Sequence, residues 1–358
     1  MKPSDFPNPH PLPISDIAPT LANHLLACQL RAGFLRDPEH GHWKRPNTYT
    51  VLGLVAHAVI EAVSKNRHWP SDSTTFEKAL QEIWDREIAR GVADLARAWS
   101  PAIPPAPSEW PGYMLTRSRT FRRAMKLRIP PTSQPRSGSS FATEVEFRDP
   151  DSGLFGRIDR IERNGASIRV IDLKTGIHQG DPTQEQRRQL LLYAVLVHRT
   201  TDKWPASIAI EGTSGCCYNE QLDPEEAETV LDEVLAGVAS FNEAAAAGTL
   251  VAEARAEPDR CRWCDFRVVC RPFWEKLTSD WEQRSAFGSI VKTGESPGGS
   301  FVSFVLESPQ DQTGTMLHIA GLPRPLLADA KKIAITDWRG VAGAGNGRAR
   351  WSTITRTW

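Results

Sequence analysis

Gly156-Arg157-Ile158-Asp159 and, thirteen residues after its aspartate, Asp172-Leu173-Lys174-Thr175-Gly176 are the stretches whose reading decides the fold. Both sit in strand-like alternation. Residues 142–147, 153–162 and 167–174 alternate apolar and polar side chains, joined by the turn-forming runs Asp149-Pro150-Asp151-Ser152-Gly153 and Asn164-Gly165. The pattern predicts an antiparallel meander whose third strand, through Val170 and Ile171, is buried. Asp159 and Asp172 then converge at one end of the sheet, where hard oxygen ligands suit Mg²⁺ or Mn²⁺. Lys174 lies two residues beyond Asp172 and points to the same face. An ammonium there can orient or deprotonate a water and offset developing negative charge. Taken singly, each residue reads as part of a solvated strand face. Together at the end of a buried strand they are costly unless a cation compensates.

Helical periodicity brackets the meander. Residues 14–36 carry apolar side chains at helical spacing (Ile17, Leu21, Leu25, Leu26, Leu30), with Ser15 as cap and Cys28 on the helix. Further helices are expected over 51–65, which contains Gly53 and His57, over 75–99, over 184–198 and over 223–247. One or two more strands fall within 207–221, so the sheet is mixed. Between positions 111 and 140 stand seven basic residues (Arg117, Arg119, Arg122, Arg123, Lys126, Arg128, Arg136) and no acidic one. Such a stretch either binds phosphates or forms a solvated helix face and linker.

The tail differs. Short strand runs near 289–292, 301–306, 315–320, 333–338 and 351–356 suggest a small all-β barrel of the OB type over 284–358. Its nine basic and five acidic residues, with Trp338, Trp351 and Trp358 as stacking surfaces, fit a single nucleic-acid strand; the plainer reading has the indoles in the core. The domain reading is a disordered segment over 1–13, a main α/β domain over 14–283 and this barrel.

Composition narrows the classes. Apolar residues make up 40% and charged residues 24%, and Lys plus Arg equals Asp plus Glu at 43 each, so no overall basic bias advertises a nucleic-acid partner. No segment approaches the roughly 20 apolar residues that span a bilayer, and the start has no basic n-region, which places the chain in the cytoplasm with no membrane partner. No GxxxxGK phosphate loop is present, so ATP-driven unwinding would have to come from another chain.

Gly53-x-x-x-His57, Gly156-Arg157-Ile158-Asp159, Ile171-Asp172-Leu173-Lys174-Thr175-Gly176 and Gln189-x-x-x-Tyr193 occur in an order that resembles RecB-family nucleases of the PD-(D/E)XK superfamily, of the AddB and CRISPR-adaptation exonuclease type. The resemblance spans roughly 14–275. It implies a restriction-endonuclease-like mixed sheet flanked by helices, and metal-dependent DNA hydrolysis, more often exonucleolytic on single strands or duplex ends than sequence-specific. By the same resemblance His57, Asp159, Asp172 and the Leu173 carbonyl hold the metal, Lys174 is the catalytic lysine, and Gln189 and Tyr193 hold the substrate backbone. Read alone, His57 is more often a core histidine. Glu144 and Glu146 precede the motif where this family often carries a glutamate, and Glu144 is kept as a lesser candidate.

Cys261-x2-Cys264-x5-Cys270 follows the last helix, in a setting where structural disulfides are not expected. In the exonucleases resembled, a fourth cysteine from the first helix completes a [4Fe–4S] cluster, and Cys28 occupies the matching place; Zn²⁺ is the alternative. Gln29 replaces the proline that commonly follows that cysteine. Cys216 and Cys217 read as buried small residues. The competing function is a catalytically silent DNA-end-binding subunit, with a helicase or defence-system protein as partner in either case.

Overall fold

The computed structural model describes residues 6–65, 69–70, 72–128, 139–174, 181–212, 215–281, 284–296, 299–322, 329–340 and 345–358. Pro19 opens the first helix. It holds Ala18 extended (φ −88°, ψ 151°) and lacks the N–H that the first turn leaves unpaired, so α1 runs Pro19–Ala27 without a side-chain cap. The single helix expected over 14–36, capped by Ser15, is thus not formed. Ile17 instead bridges to Leu154 as a strand, and the helix breaks at an extended Cys28 (φ −165°) before α2, Gln29–Arg36. Residues 6–13, expected to be disordered, are anchored. The His10 N–H donates to Asp37 at 2.7 Å, the Asn8 amide to the Gly248 carbonyl at 3.1 Å, and Phe6 packs on Phe287 and Trp358.

Helices α3 (Thr48–Lys65), α4 (Ser73–Trp99) and α5 (Tyr113–Arg128) pack together. Asp72 caps α4 by accepting from the Thr75 N–H at 2.7 Å. The basic run therefore forms a helix as far as Arg128, and Arg136 lies outside the described residues.

Strands β1 (Ser139–Arg148), β2 (Phe155–Asn164) and β3 (Ser167–Lys174) form the expected antiparallel meander. A parallel neighbour requires a crossover, which α6 (Gln184–Thr201) supplies; its Thr183–Gln186 capping box starts it cleanly. Strand β4 (Ser207–Gly212) then pairs parallel with β3 and antiparallel with β5 (Gly215–Gln221), giving the order β1-β2-β3-β4-β5. Residues Leu190–Val197 of α6 are all buried, because the helix lies between this sheet and helices α1 and α7 (Pro224–Ala246). Asp223 caps α7, with Pro224 at its first position.

Short helices α8 (Pro258–Cys261) and α9 (Arg271–Lys276) lead to the tail. Here β6 (Ser285–Ser296), β7 (Gly299–Ser308), β8 (Met316–Leu322), β9 (Lys332–Thr336), β10 (Arg339–Gly340), β11 (Asn346–Arg348) and β12 (Ile354–Thr357) form one seven-stranded sheet, ordered β10-β11-β8-β7-β6-β9-β12. The OB-type barrel is not what the described strands form. β10 and β12 stand at opposite edges with no pairing between them among the described residues, and β11 joins β8 in parallel. Alternation along β6 and β9 puts Ala286, Ile333 and Ile335 in one apolar cluster with Trp338, and Phe287 and Ala334 in a second cluster with Phe273 and Trp274. Arg267 ties the sheet back through two hydrogen bonds to Asp337, at 3.0 and 2.9 Å. No helix among the described residues is long and apolar enough to cross a membrane.

Candidate active site

The meander, α3 and α6 bring the expected catalytic residues to one place. The register that pairs Thr143 with Arg160 and Val145 with Ile158 sets Glu144 opposite Asp159. At Glu144 the strand kinks into the left-handed region (φ +53°), which costs a non-glycine residue on the order of 1 kcal/mol. Ligand atoms of His57, Glu144 and Asp159 lie within 4.8 Å of one another. Glu144, read from sequence as a lesser candidate, thus stands in the tight cluster where the sequence had placed Asp172. Asp172 adjoins it with 3% exposure, its Oδ2 held by Lys174 Nζ at 2.8 Å. The Leu173 N–H donates to Asp159 at 2.7 Å, and His57 Nδ1 lies 3.9 Å from Asp159 Oδ1. Arg157 of the Gly-Arg-Ile-Asp stretch braces Glu144 at 2.6 Å and Glu61 at 2.9 Å.

The cluster is electrostatically loaded. Burial, and next the charge of Asp172, push the Asp159 carboxyl up to about 7. Burial and then Asp159 raise Glu144 as well. Burial keeps the His57 imidazole below its ordinary value despite the pull of Asp172 and Glu144, so it stays neutral and able to ligate. Oxygen and imidazole donors gathered around one point, with protons a cation would displace, fit a hard divalent ion such as Mg²⁺ or Mn²⁺.

On the α6 side, Lys174 Nζ is 3.5 Å from the Gln189 side-chain oxygen Oε1, and the Gln189 side-chain amide donates to the Tyr193 hydroxyl at 2.9 Å. Burial holds the Tyr193 hydroxyl above its ordinary value, so it remains a donor. A Cβ on Gly156 would stand 3.0 Å from the Tyr193 ring and 3.2 Å from Leu196, which explains the glycine in that motif. Thr175 and Gly176 lie outside the described residues.

The extended break at Cys28 turns it toward the tail of the main fold. Cys28, Cys261, Cys264 and Cys270, all free thiols, line one cavity with Phe34 and Phe266. Burial pushes the Cys264 thiol up to about 12 and raises Cys261 and Cys270, and the other thiols of the set add to each shift. Among the described residues the one group of three or more such ligand atoms within 4.8 Å of each other is the His57 group. No three of the four sulfurs therefore lie within 4.8 Å of one another. Beside them a groove of about 820 Å³ is lined by Arg31, Arg188, Arg255, Arg260 and Trp263 together with Glu185, Glu257 and Asp259, and Arg260 is paired with Glu257 at 2.7 Å. Trp263 is 75% exposed, with the Arg262 guanidinium over its ring at 5.2 Å. The side chains of Cys216 and Cys217 lie outside the described residues.

The other nucleic-acid candidates divide. Arg117 is a packing residue, bonded to Gln81 at 3.0 Å and stacked on Phe121 at 4.4 Å. Arg119 is half-buried, Arg122 and Lys126 are exposed, and Arg123 turns inward to Glu211. Trp338 and Trp351 are not stacking surfaces. Trp338 is 1% exposed, fitted against Gly340 and Gly347, where any Cβ would collide with the indole. Trp351 is half-buried and meets Trp99 edge-on at 5.3 Å. The exposed indole that sequence reading missed is Trp263, for which a tryptophan between two cysteines was the available signal.

A comparison with curated proteins gives no match. A family model described as the PD-(D/E)XK nuclease superfamily matches residues 16–271. That span is well over half of the chain and takes in His57, Glu144, Asp159, Asp172, Lys174, Gln189, Tyr193 and the four cysteines, and on it the chain belongs to the PD-(D/E)XK nuclease superfamily.

Proposed function

We propose that the protein is a deoxyribonuclease that hydrolyses phosphodiester bonds as an exonuclease on single strands or duplex ends. The observation that carries this reading is the cluster of His57, Glu144, Asp159 and Asp172 with Lys174 held against Asp172. His57, Glu144 and Asp159 would hold the ion, with Asp172 and the Leu173 carbonyl adjoining. A bound Mg²⁺ or Mn²⁺ supplies Lewis-acid stabilisation of the charge that develops on the phosphate and makes water a better nucleophile. Lys174 orients the attacking water and offsets that charge. Gln189 and Tyr193 offer an amide and a neutral hydroxyl to the phosphate oxygens, while Arg157 keeps Glu144 in place.

The preference for ends rests on the likeness of the four-cysteine pattern to exonucleases. The C-terminal sheet no longer contributes to it, since its tryptophans are packed. What supports a single strand is the exposed Trp263 at the edge of a groove whose four arginines outnumber its three carboxylates. The four cysteines would hold a [4Fe–4S] cluster, for which the support is the resemblance of their pattern together with their gathering around one cavity, with Zn²⁺ as the alternative. Cys28 would then tie the first two helices to a segment that begins 233 residues later, at Cys261. A helicase or defence-system protein would supply any unwinding.

The test uses purified protein, Mn²⁺ and end-labelled single-stranded DNA, beside Asp172→Ala and Lys174→Ala. Stepwise shortening by wild type alone is expected. Equal survival of the DNA in all three would end the enzymatic reading, and tight binding without cutting would favour a silent end-binding subunit. Anaerobically purified protein should be brown with iron; a colourless protein with stoichiometric zinc would replace the cluster. Cys28→Ala should lose the colour, stability and activity together.

A further inference from the structure

Glu211 is a carboxylate that neither the metal cluster nor the four-cysteine cavity uses, yet it is 7% exposed and lies at the β-bulge of β4, paired with Leu173. It sits between two guanidiniums. Arg160 of β2 donates to Oε1 at 2.7 Å, and Arg123 of α5, 88 residues away in sequence, donates to Oε2. Arg160 continues to Glu162 at 2.9 Å, and Glu162 to Arg169 at 3.5 Å. The row alternates in charge and has a cation at each end, so the guanidinium at its Arg123 end is tethered by a carboxylate it shares.

That end opens on the catalytic cluster. Arg123 and Glu211 line one pocket with His57, Leu173, Lys174 and Gly212. A guanidinium carries five N–H donors in a flat fork suited to phosphate, and Glu211 is the partner seen for Arg123 among the described residues. For the exposed basic residues of the same helix, Arg122 and Lys126, no such tether is seen among the described residues.

We infer that Arg123 is a phosphate-binding residue of the active site, contacting a backbone phosphate of the strand being cut, and that Glu211 is the positioning residue that holds its guanidinium in the pocket. The inference rests on the nuclease reading for its ligand. A plain structural tie between α5 and β4 would give the same ion pair, so the test must read phosphate contact itself.

Binding of a fluorescein-labelled single-stranded oligonucleotide to the full chain, with Ca²⁺ in place of a catalytic ion, is followed from 50 to 200 mM salt. One lost phosphate contact lowers the slope of log K against log salt by about 0.7. Arg123→Ala and Arg123→Gln, the latter keeping a hydrogen bond to Glu211, should both show that drop, and Arg123→Lys should restore the slope. Glu211→Gln should weaken binding less, and combining it with Arg123→Ala should add nothing, because Glu211 acts through Arg123. An unchanged slope in both Arg123 variants, or additive losses in the double variant, overturns the inference. If wild type cleaves and the slope is unchanged, only this inference falls. If wild type cleaves nothing and the slope drops, the nuclease reading falls and the phosphate site stands; a wild type that binds no DNA removes both.

Discussion

The catalytic end of the first sheet and the interior of the second bury opposite kinds of side chain. At the end of β1–β3, carboxylates with little exposure crowd one imidazole, and the strand holds a strained glutamate to complete the group. In the C-terminal sheet what is buried is apolar: Trp338 in one cluster, Phe287 beside Trp274 in another, while Arg267–Asp337 and Lys332–Glu307 are matched pairs. Folding favours the second arrangement and opposes the first. Side chains that work against stability need another reason to be there, and side chains that serve it do not.

The sharpest break comes from Asp172→Ala, which should lower cleavage roughly 10³-fold with little loss of thermal stability, since it removes one of several repelling charges. A large drop in melting temperature with activity retained would reverse the contrast. Trp338→Ala should do the opposite, costing about 3–5 kcal/mol in chemical denaturation and leaving single-strand affinity as it was. Weaker DNA binding at full stability would return Trp338 to the surface role that its burial denies. Trp263→Ala sharpens the contrast among tryptophans: single-strand binding should weaken by about 1–3 kcal/mol with the melting temperature unmoved.

The smallest effect is in pH. Asp159 binds its proton more tightly folded than unfolded, so the stability it contributes is complete below 3.8 and is lost as pH rises towards about 7. The melting temperature of metal-free protein should therefore lose a few degrees over that window. Added Mn²⁺ should raise it more at pH 8 than at pH 5, and Asp159→Asn should flatten both trends. A metal effect that shrank as pH rose would contradict the assignment of Asp159.

Local patterns were legible and long-range ones were not. The meander, α6 and α7 follow from alternation, Asn164-Gly165, the Thr183–Gln186 box and Asp223, all of which act within a few residues. The break at Cys28 has no such mark, although Ala18-Pro19 could have been read as the true helix start. Counting five tail strands could not reveal an open sheet, because closure depends on bulges and on which edges meet. Asp159, Asp172 and Lys174 were readable from spacing, and the resemblance supplied His57. Glu144 gained its place through a backbone angle that no residue type announces, though counting back from the Asp149–Gly153 turn sets it opposite Asp159. The pairing of Arg123 with Glu211 joins elements too distant for any local pattern.

The near contact of Gly156 with the Tyr193 ring makes that glycine a spacer that sets how closely α6 lies on β2. Its place in the motif is mechanical. Selection for restored activity after Gly156→Ala should accordingly return second-site changes that shrink Leu196, the neighbour able to yield without disturbing the Tyr193 hydroxyl, and should rarely return changes among the charged residues.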